Sequence, residues 1–326
     1  MRRLIATVDR YWFTPASSRD LALVRILAFG SQTFFFIVFP VARLRSLSQQ
    51  VAQTHAAVAP YNPLPVLKAL LLPWGPWGTI RPGDTFLYAT FAVAVVAGVL
   101  ATVGLLARVS MLCAALANTL LVAHWYSYGD YHHAEALMLI ALGVLALSPS
   151  AEVWSLDSVL RSRAGHPASP GESVFARWPL LLMQWIIALT YLSAAGSKLV
   201  YGGWQWFDGY TMTYHFLRFA LQPGHEGAVL AASLPPWMHI VPSIIAILFE
   251  LTFFVAVLVP RTAWLYVLIG IGFHIVVYET MGIGFFQTIV LYSVFVRSLR
   301  LYWPAVLRPP TKRERSSGVG ILHTSS

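Results

Sequence analysis

Residues 184–215 read QWIIALTYLSAAGSKLVYGGWQWFDGYTMTYH. An apolar run long enough to enter a bilayer as a helix ends in the small residues Ser193, Ala194, Ala195, Gly196 and Ser197. A lone Lys198 follows, and then an aromatic turn with Trp204, Trp206, Phe207, Asp208, Gly209 and Tyr210. Lysine is costly at membrane depth, by roughly 2.5–3.5 kcal/mol at a helix centre on insertion scales. The placement of Lys198 therefore governs the reading of the rest of the chain.

With 57% apolar and 11% charged residues, the composition is that of an integral membrane protein whose first partner is the lipid bilayer. The net charge of +9 is not read as a nucleic-acid footprint. Apart from Lys68, Lys198 and Lys312 the basic residues are arginines, and they collect at segment ends and in the tail, which is the positive-inside pattern. The single cysteine, Cys113, lies in an apolar run, so an intramolecular disulfide and a Cys-based metal cluster are both excluded. No His/Asp/Glu spacing matches a zinc helix and no glycine loop matches a nucleotide site, so no metal is expected.

Outward from the opening stretch, the chain reads as an all-α polytopic bundle of about eight spans. Residues 1–18 lack the apolar core and the cleavage site of a signal peptide. Ile5, Val8, Tyr11 and Trp12 share a helical face there, as in an interfacial helix. Residues 18–303 form the transmembrane domain, and 304–326 form a basic, disordered tail. The spans are expected near 20–39 (with Asp20 as N-cap), 85–106, 109–126, 132–147, 177–197, 239–259, 263–278 and 284–299. Arg25, inside the first span, is read as snorkelling to the interface in preference to pairing with an acid. The proline-punctuated stretch 41–81 contains the apolar Val66–Trp74, a candidate re-entrant element or lid. Residues 158–172 read as a polar linker. Lys and Arg fall mainly on the side that also holds both termini, giving cytoplasmic termini and an inner or plasma membrane of bacterial type.

In this topology Lys198, His132, His133, Glu135, His274 and Glu279 all lie toward the outer side. They converge on one outward-facing cavity roofed by the aromatics of 201–216, and ionisable groups meeting in an apolar pocket form the default site hypothesis. Each has a blander reading. Lys198 serves equally as an interfacial anchor. His132 and His133 point about 100° apart on a helix, so only one faces the cavity. His274, after Gly270 and Gly272, suits an interhelical hydrogen bond. Glu250, near the middle of its span, is read as protonated or hydrogen-bonded to a neighbour. It then serves helix association, with a proton relay in reserve.

Three blocks carry a family resemblance: Tyr131-His132-His133 through Trp154-Ser155-Leu156-Asp157; Tyr191 to Met212 with Gly196, Lys198-Leu199, Trp206 and Asp208-Gly209-Tyr210; and Phe273-His274 followed by Gly282-Ile283-Gly284-Phe285-Phe286. In order and spacing they resemble the membrane core of the vitamin K-dependent gamma-carboxylase-like, or HTTM (horizontally transferred transmembrane), family. The resemblance implies a reduced vitamin K or menaquinone-type hydroquinone as cofactor. It also implies Lys198 as the base that deprotonates it and His133 as an assisting group. Oxygen then adds, and the resulting strong base takes a proton from the γ-carbon of a protein glutamate, which captures CO2. His132, Glu135, Trp206, Asp208, Tyr210 and His274 are expected in or behind that pocket. A base of this kind must be substantially neutral, which desolvation among small and aromatic residues favours. The function expected is carboxylation or related quinol chemistry acting on a peptide or protein at the outer side. The alternative is a non-enzymatic membrane component that binds, matures or exports a peptide or lipid. A secondary transporter is disfavoured by the lack of an internal repeat and of paired broken helices.

Overall fold

A chain segment in lipid must satisfy its backbone groups internally, and for apolar runs of this length the α-helix does so. The computed structural model describes residues 2–38, 62–71, 82–127, 133–167, 169, 171–221 and 226–302. Its helices are α1 (Arg2–Phe13), α2 (Ser18–Val38), α3 (Pro65–Leu71), α4 (Asp84–Val103), α5 (Ala107–Tyr126), α6 (His133–Leu147) and α7 (Leu156–Arg163). They continue with α8 (Arg177–Ser197), α9 (Tyr210–Ala220), α10 (Glu226–Ser233), α11 (Ile240–Thr252), α12 (Val255–Leu258), α13 (Ala263–Met281), α14 (Phe286–Leu291) and α15 (Val296–Tyr302). Two-residue strands, β1 (Ala16–Ser17) and β2 (Glu172–Ser173), pair antiparallel with Ala16 opposite Ser173.

Among the described residues six helical stretches are long and apolar enough to cross a membrane: Ser18–Val38, Asp84–Val103, Ala107–Tyr126, Val174–Phe207, Pro236–Leu258 and Pro260–Met281. They answer to six of the eight expected segments. The fourth expected segment is the 15-residue α6. The eighth is divided into α14, a 3-10 turn at Tyr292–Phe295, and α15. Gln184 Nε2 donates to Val294 O at 2.7 Å and so satisfies a carbonyl in that irregular turn. The core holds Leu21, Phe29, Met111, Leu142, Ile187, Phe253 and Phe295, with many alanines that let the helices approach closely. The tail, most of the 41–81 stretch and His132 lie outside the described residues. Of the lid candidate, α3 is described, and it is anchored where Leu64 N donates to Ser127 Oγ at 3.2 Å.

Two expectations are corrected. The polar linker is not a plain loop, because its first part is α7. Ser155 N-caps this helix in a capping box with Ser158. Asp157 in turn caps α5, accepting from Leu106 N at 3.0 Å and Ala107 N at 2.8 Å. Arg25 does not snorkel. It is fully buried, and Nη2 donates to Trp154 O at 2.6 Å. The reason is Gly104, at φ 69°, where a Cβ would sit 2.5 Å from Arg25 Nη1 and 2.4 Å from Ser155 Cβ. A glycine that admits both the left-handed backbone and the guanidinium thus makes a socket that the α2 sequence alone does not reveal.

The first span also starts two residues earlier than expected. Asp20 lies in the first turn of α2, where it pairs with Arg300 (Nη2–Oδ1 2.6 Å) instead of acting as N-cap. Helix α1 leaves Ile5, Val8 and Phe13 exposed, while Tyr11 holds it to α8 through Trp185 Nε1–H at 2.9 Å.

Candidate functional site

The apolar helix α8 passes into a π-helical turn at Lys198–Gly202 and a 3-10 turn at Gly203–Phe207. Such widened turns recur at functional positions because they re-aim side chains that a regular helix would stack. Here the widening turns Lys198 inward. Nζ donates to both Oε1 and Oε2 of Glu250 at 2.7 Å, with the lysine side chain 22% and the glutamate side chain 5% exposed. Glu250, the residue set apart from the outer cluster on sequence, is thus the partner of Lys198. The expectation that it is hydrogen-bonded to a neighbour describes its state.

Trp206 completes the pair's surroundings. Lys198 Nζ stands 5.5 Å from the centre of its ring, within cation–π range. A Cβ on Gly202 would lie 2.3 Å from the indole Nε1, so a glycine is needed for the ring to fold back over the turn. On its other side the indole stacks on His215, with centroids 6.1 Å apart and planes 21° from parallel. Burial, with Arg218 and Lys198 nearby, holds His215 below the ordinary histidine pKa. Tyr201, Trp204 and Tyr210, in and just after the same turns, are exposed by 88, 86 and 66%.

His274 belongs to a second cluster. Its Nε2 shares a 2.6 Å hydrogen bond with the Tyr191 hydroxyl, which also contacts the Tyr292 hydroxyl. Phe249 and Phe253 pack on the Tyr191 ring. His274 Nδ1 is buried and has no partner among the described residues. Tyr191 and Lys198 are seven residues apart, two turns along one stripe of α8, and so separated by about 10 Å. The two clusters are therefore stacked along one helix and adjoin through α11, where Phe249, next to Glu250, packs on the Tyr191 ring.

The remaining expected residues divide as follows. Asp208 is exposed, and its Oδ1 accepts from Tyr210 N at 2.8 Å, an Asx turn that starts α9. Glu135 is partly buried in the first turn of α6. His133 begins that helix, with its side chain outside the described residues. Sequence reasoning gave no role to Tyr191, which opens the second block of the resemblance, or to Tyr292 and His239. His239 is buried between Thr213 Oγ1 (2.7 Å from Nδ1) and Ala231 O (3.0 Å from Nε2) and fixes α9 and α10 to the start of α11. The available signal for all three was a polar aromatic side chain within an apolar run.

The HTTM domain model matches residues 72–299. With that extent matched, the chain belongs to the HTTM family, and it is an integral membrane protein of that family. Comparison with curated proteins and with solved structures gives no significant match.

Proposed function

We propose that the protein carries out hydroquinone-dependent chemistry of the gamma-carboxylase type, with Lys198 as the base. The observation that supports this most directly is the close contact of Lys198 with a buried carboxylate at the aromatic end of a spanning helix. A lysine accepts a proton at Nζ only after its own extra proton has gone elsewhere, and Glu250 Oε, 2.7 Å away, is a ready receiver. The donor set also suits a phenolic hydroxyl: an amine and a carboxylate side by side, with the Trp206 ring 5.5 Å from the amine. A bound reduced quinone would supply, together with oxygen, the redox chemistry that protein side chains lack. Trp206 covers Lys198 and limits water, while His133 keeps the assisting role that the resemblance assigns. The distribution of Lys and Arg supports cytoplasmic termini and an acceptor peptide or protein on the outer side.

A second reading has its own support. A lysine whose charge is matched by Glu250 on a neighbouring helix is also what helix association alone would require. The protein would then be a non-enzymatic component that binds a peptide or lipid. The two readings separate in one experiment, oxygen-dependent oxidation of vitamin K or menaquinone hydroquinone by purified protein, with and without a glutamate peptide. Lys198→Arg keeps the charge but not a neutral amine near pH 7. Turnover in the wild type that is lost in Lys198→Arg, with folding intact, establishes the enzyme reading. No turnover in the wild type, together with peptide binding that survives Lys198→Arg, replaces it with the second.

A further inference from the structure

A cleft of about 270 Å³ opens at the end of the bundle where α2 begins and α6 ends, lined by Arg19, Glu152, Trp154, Ser158, Arg161 and Ser162. Two independent elements supply its cations: Arg19 comes from the start of a membrane span and Arg161 from α7. Among the described residues no carboxylate pairs with either guanidinium. Arg161 spends one Nη2 bond on Glu152 O at 3.3 Å and retains further donors.

The position of α7 defines the surroundings. Ser158, Arg161 and Ser162 are spaced i, i+3, i+4 and share the face that lines the cleft. Leu156, Val159 and Leu160 form another face, exposed by 44, 45 and 52%, and Trp154 beside them is 51% exposed. An apolar face left bare at the end of membrane spans is accommodated by acyl chains, so α7 lies in the interfacial layer with its polar face turned to the cleft. Its orientation is fixed by the Asp157 cap on α5 and by the Ser155 capping box.

We infer that this cleft binds the headgroup of a membrane phospholipid. The phosphodiester would rest between Arg19 and Arg161, with the Ser162 hydroxyl as a further donor, and acyl chains would lie over Leu156, Val159 and Leu160. Guanidinium forks match phosphate oxygens in geometry and charge. Glu152 adds a carboxylate at the same site, which gives a headgroup ammonium with N–H donors an acceptor. The preferred ligand is therefore phosphatidylethanolamine, ahead of the choline lipid whose quaternary nitrogen has no N–H to donate. This site is separate from Lys198 and does not depend on the proposed chemistry.

The test is native mass spectrometry of the full-length protein in detergent, supplied in turn with dioleoyl phosphatidylethanolamine, dioleoyl phosphatidylcholine and inorganic phosphate. The wild type should retain the ethanolamine lipid, and Arg19→Ala/Arg161→Ala should weaken its retention about a hundredfold, the effect of losing two charge-assisted hydrogen bonds at about tenfold each. Glu152→Gln should remove the preference for ethanolamine over choline. If the double variant fails to fold, Ser162→Glu, at an exposed position, places a negative charge in the cleft and should give the same loss. Equal lipid retention by the wild type and the folded variants overturns the proposal. So does retention of inorganic phosphate without lipid, which would make the cleft a site for a free anion.

Discussion

Replacement of Lys198 and Glu250, singly and together, tests the central contact of the site. Lys198→Met leaves a carboxylate that is 5% exposed without its partner, and Glu250→Leu leaves the ammonium over Trp206 alone. Removing one member of a buried pair costs about 3–5 kcal/mol, because the remaining charge stays desolvated. The lysine side chain retains 22% exposure, so water screens part of the loss, and the lower end of that range, about 3 kcal/mol, is expected for each single change. Lys198→Met/Glu250→Leu removes both desolvated groups and fills their volume with apolar atoms, so its cost should be within about 1 kcal/mol of zero. At about 2 °C per kcal/mol for a chain of this size, each single variant melts about 6 °C lower and the double variant within about 2 °C of the wild type. The assay is thermal unfolding in one detergent, followed by far-ultraviolet circular dichroism, and the strong non-additivity is the signature of direct contact. Two single variants that melt with the wild type, or a double variant that loses the sum of both, would refute the pairing.

Three further outcomes follow from other parts of the molecule. Asp157→Ala removes the acceptor of two backbone N–H groups at the start of α5 and should destabilise by about 1–2 kcal/mol, while Asp157→Asn, which keeps one acceptor, loses less; thermal melting distinguishes them. Tyr191→Phe takes the hydrogen-bond partner from both His274 and Tyr292 and should cost about 1–3 kcal/mol; Tyr292→Phe, which leaves the Tyr191–His274 bond in place, should cost less in the same assay. His215 has a folded-state pKa below its unfolded value, so the stability it contributes is fully present above about pH 6.5 and is lost as pH falls through the folded-state pKa. Over that window His215→Gln should show a shallower fall in melting temperature than the wild type, and identical slopes would exclude the linkage.

The sequence by itself determined the helical membrane class, the stretches that became α2, α4, α5, α8, α11 and α13, and the break at Lys198. These depend on local quantities, namely runs of apolar residues of bilayer length and a charge followed by glycines. It also marked Glu250 as a carboxylate in need of a partner. The tertiary structure decided which partner, because spacing along a helix fixes the face of a residue but not the face that meets it. Lys198 and Glu250 are 52 residues apart, and Arg25 and Trp154 are 129 apart. His274 was placed with Lys198 on the ground of depth in the membrane, yet it joins Tyr191 and Tyr292, since α13 meets α8 two turns before the lysine. The helix α7 was hidden in a polar linker because its short amphipathic pattern becomes legible only when Asp157 reaches the start of α5. Depth and class are thus properties of the one-dimensional pattern, whereas the pairing of charges depends on helix rotation and packing, which the pattern leaves free.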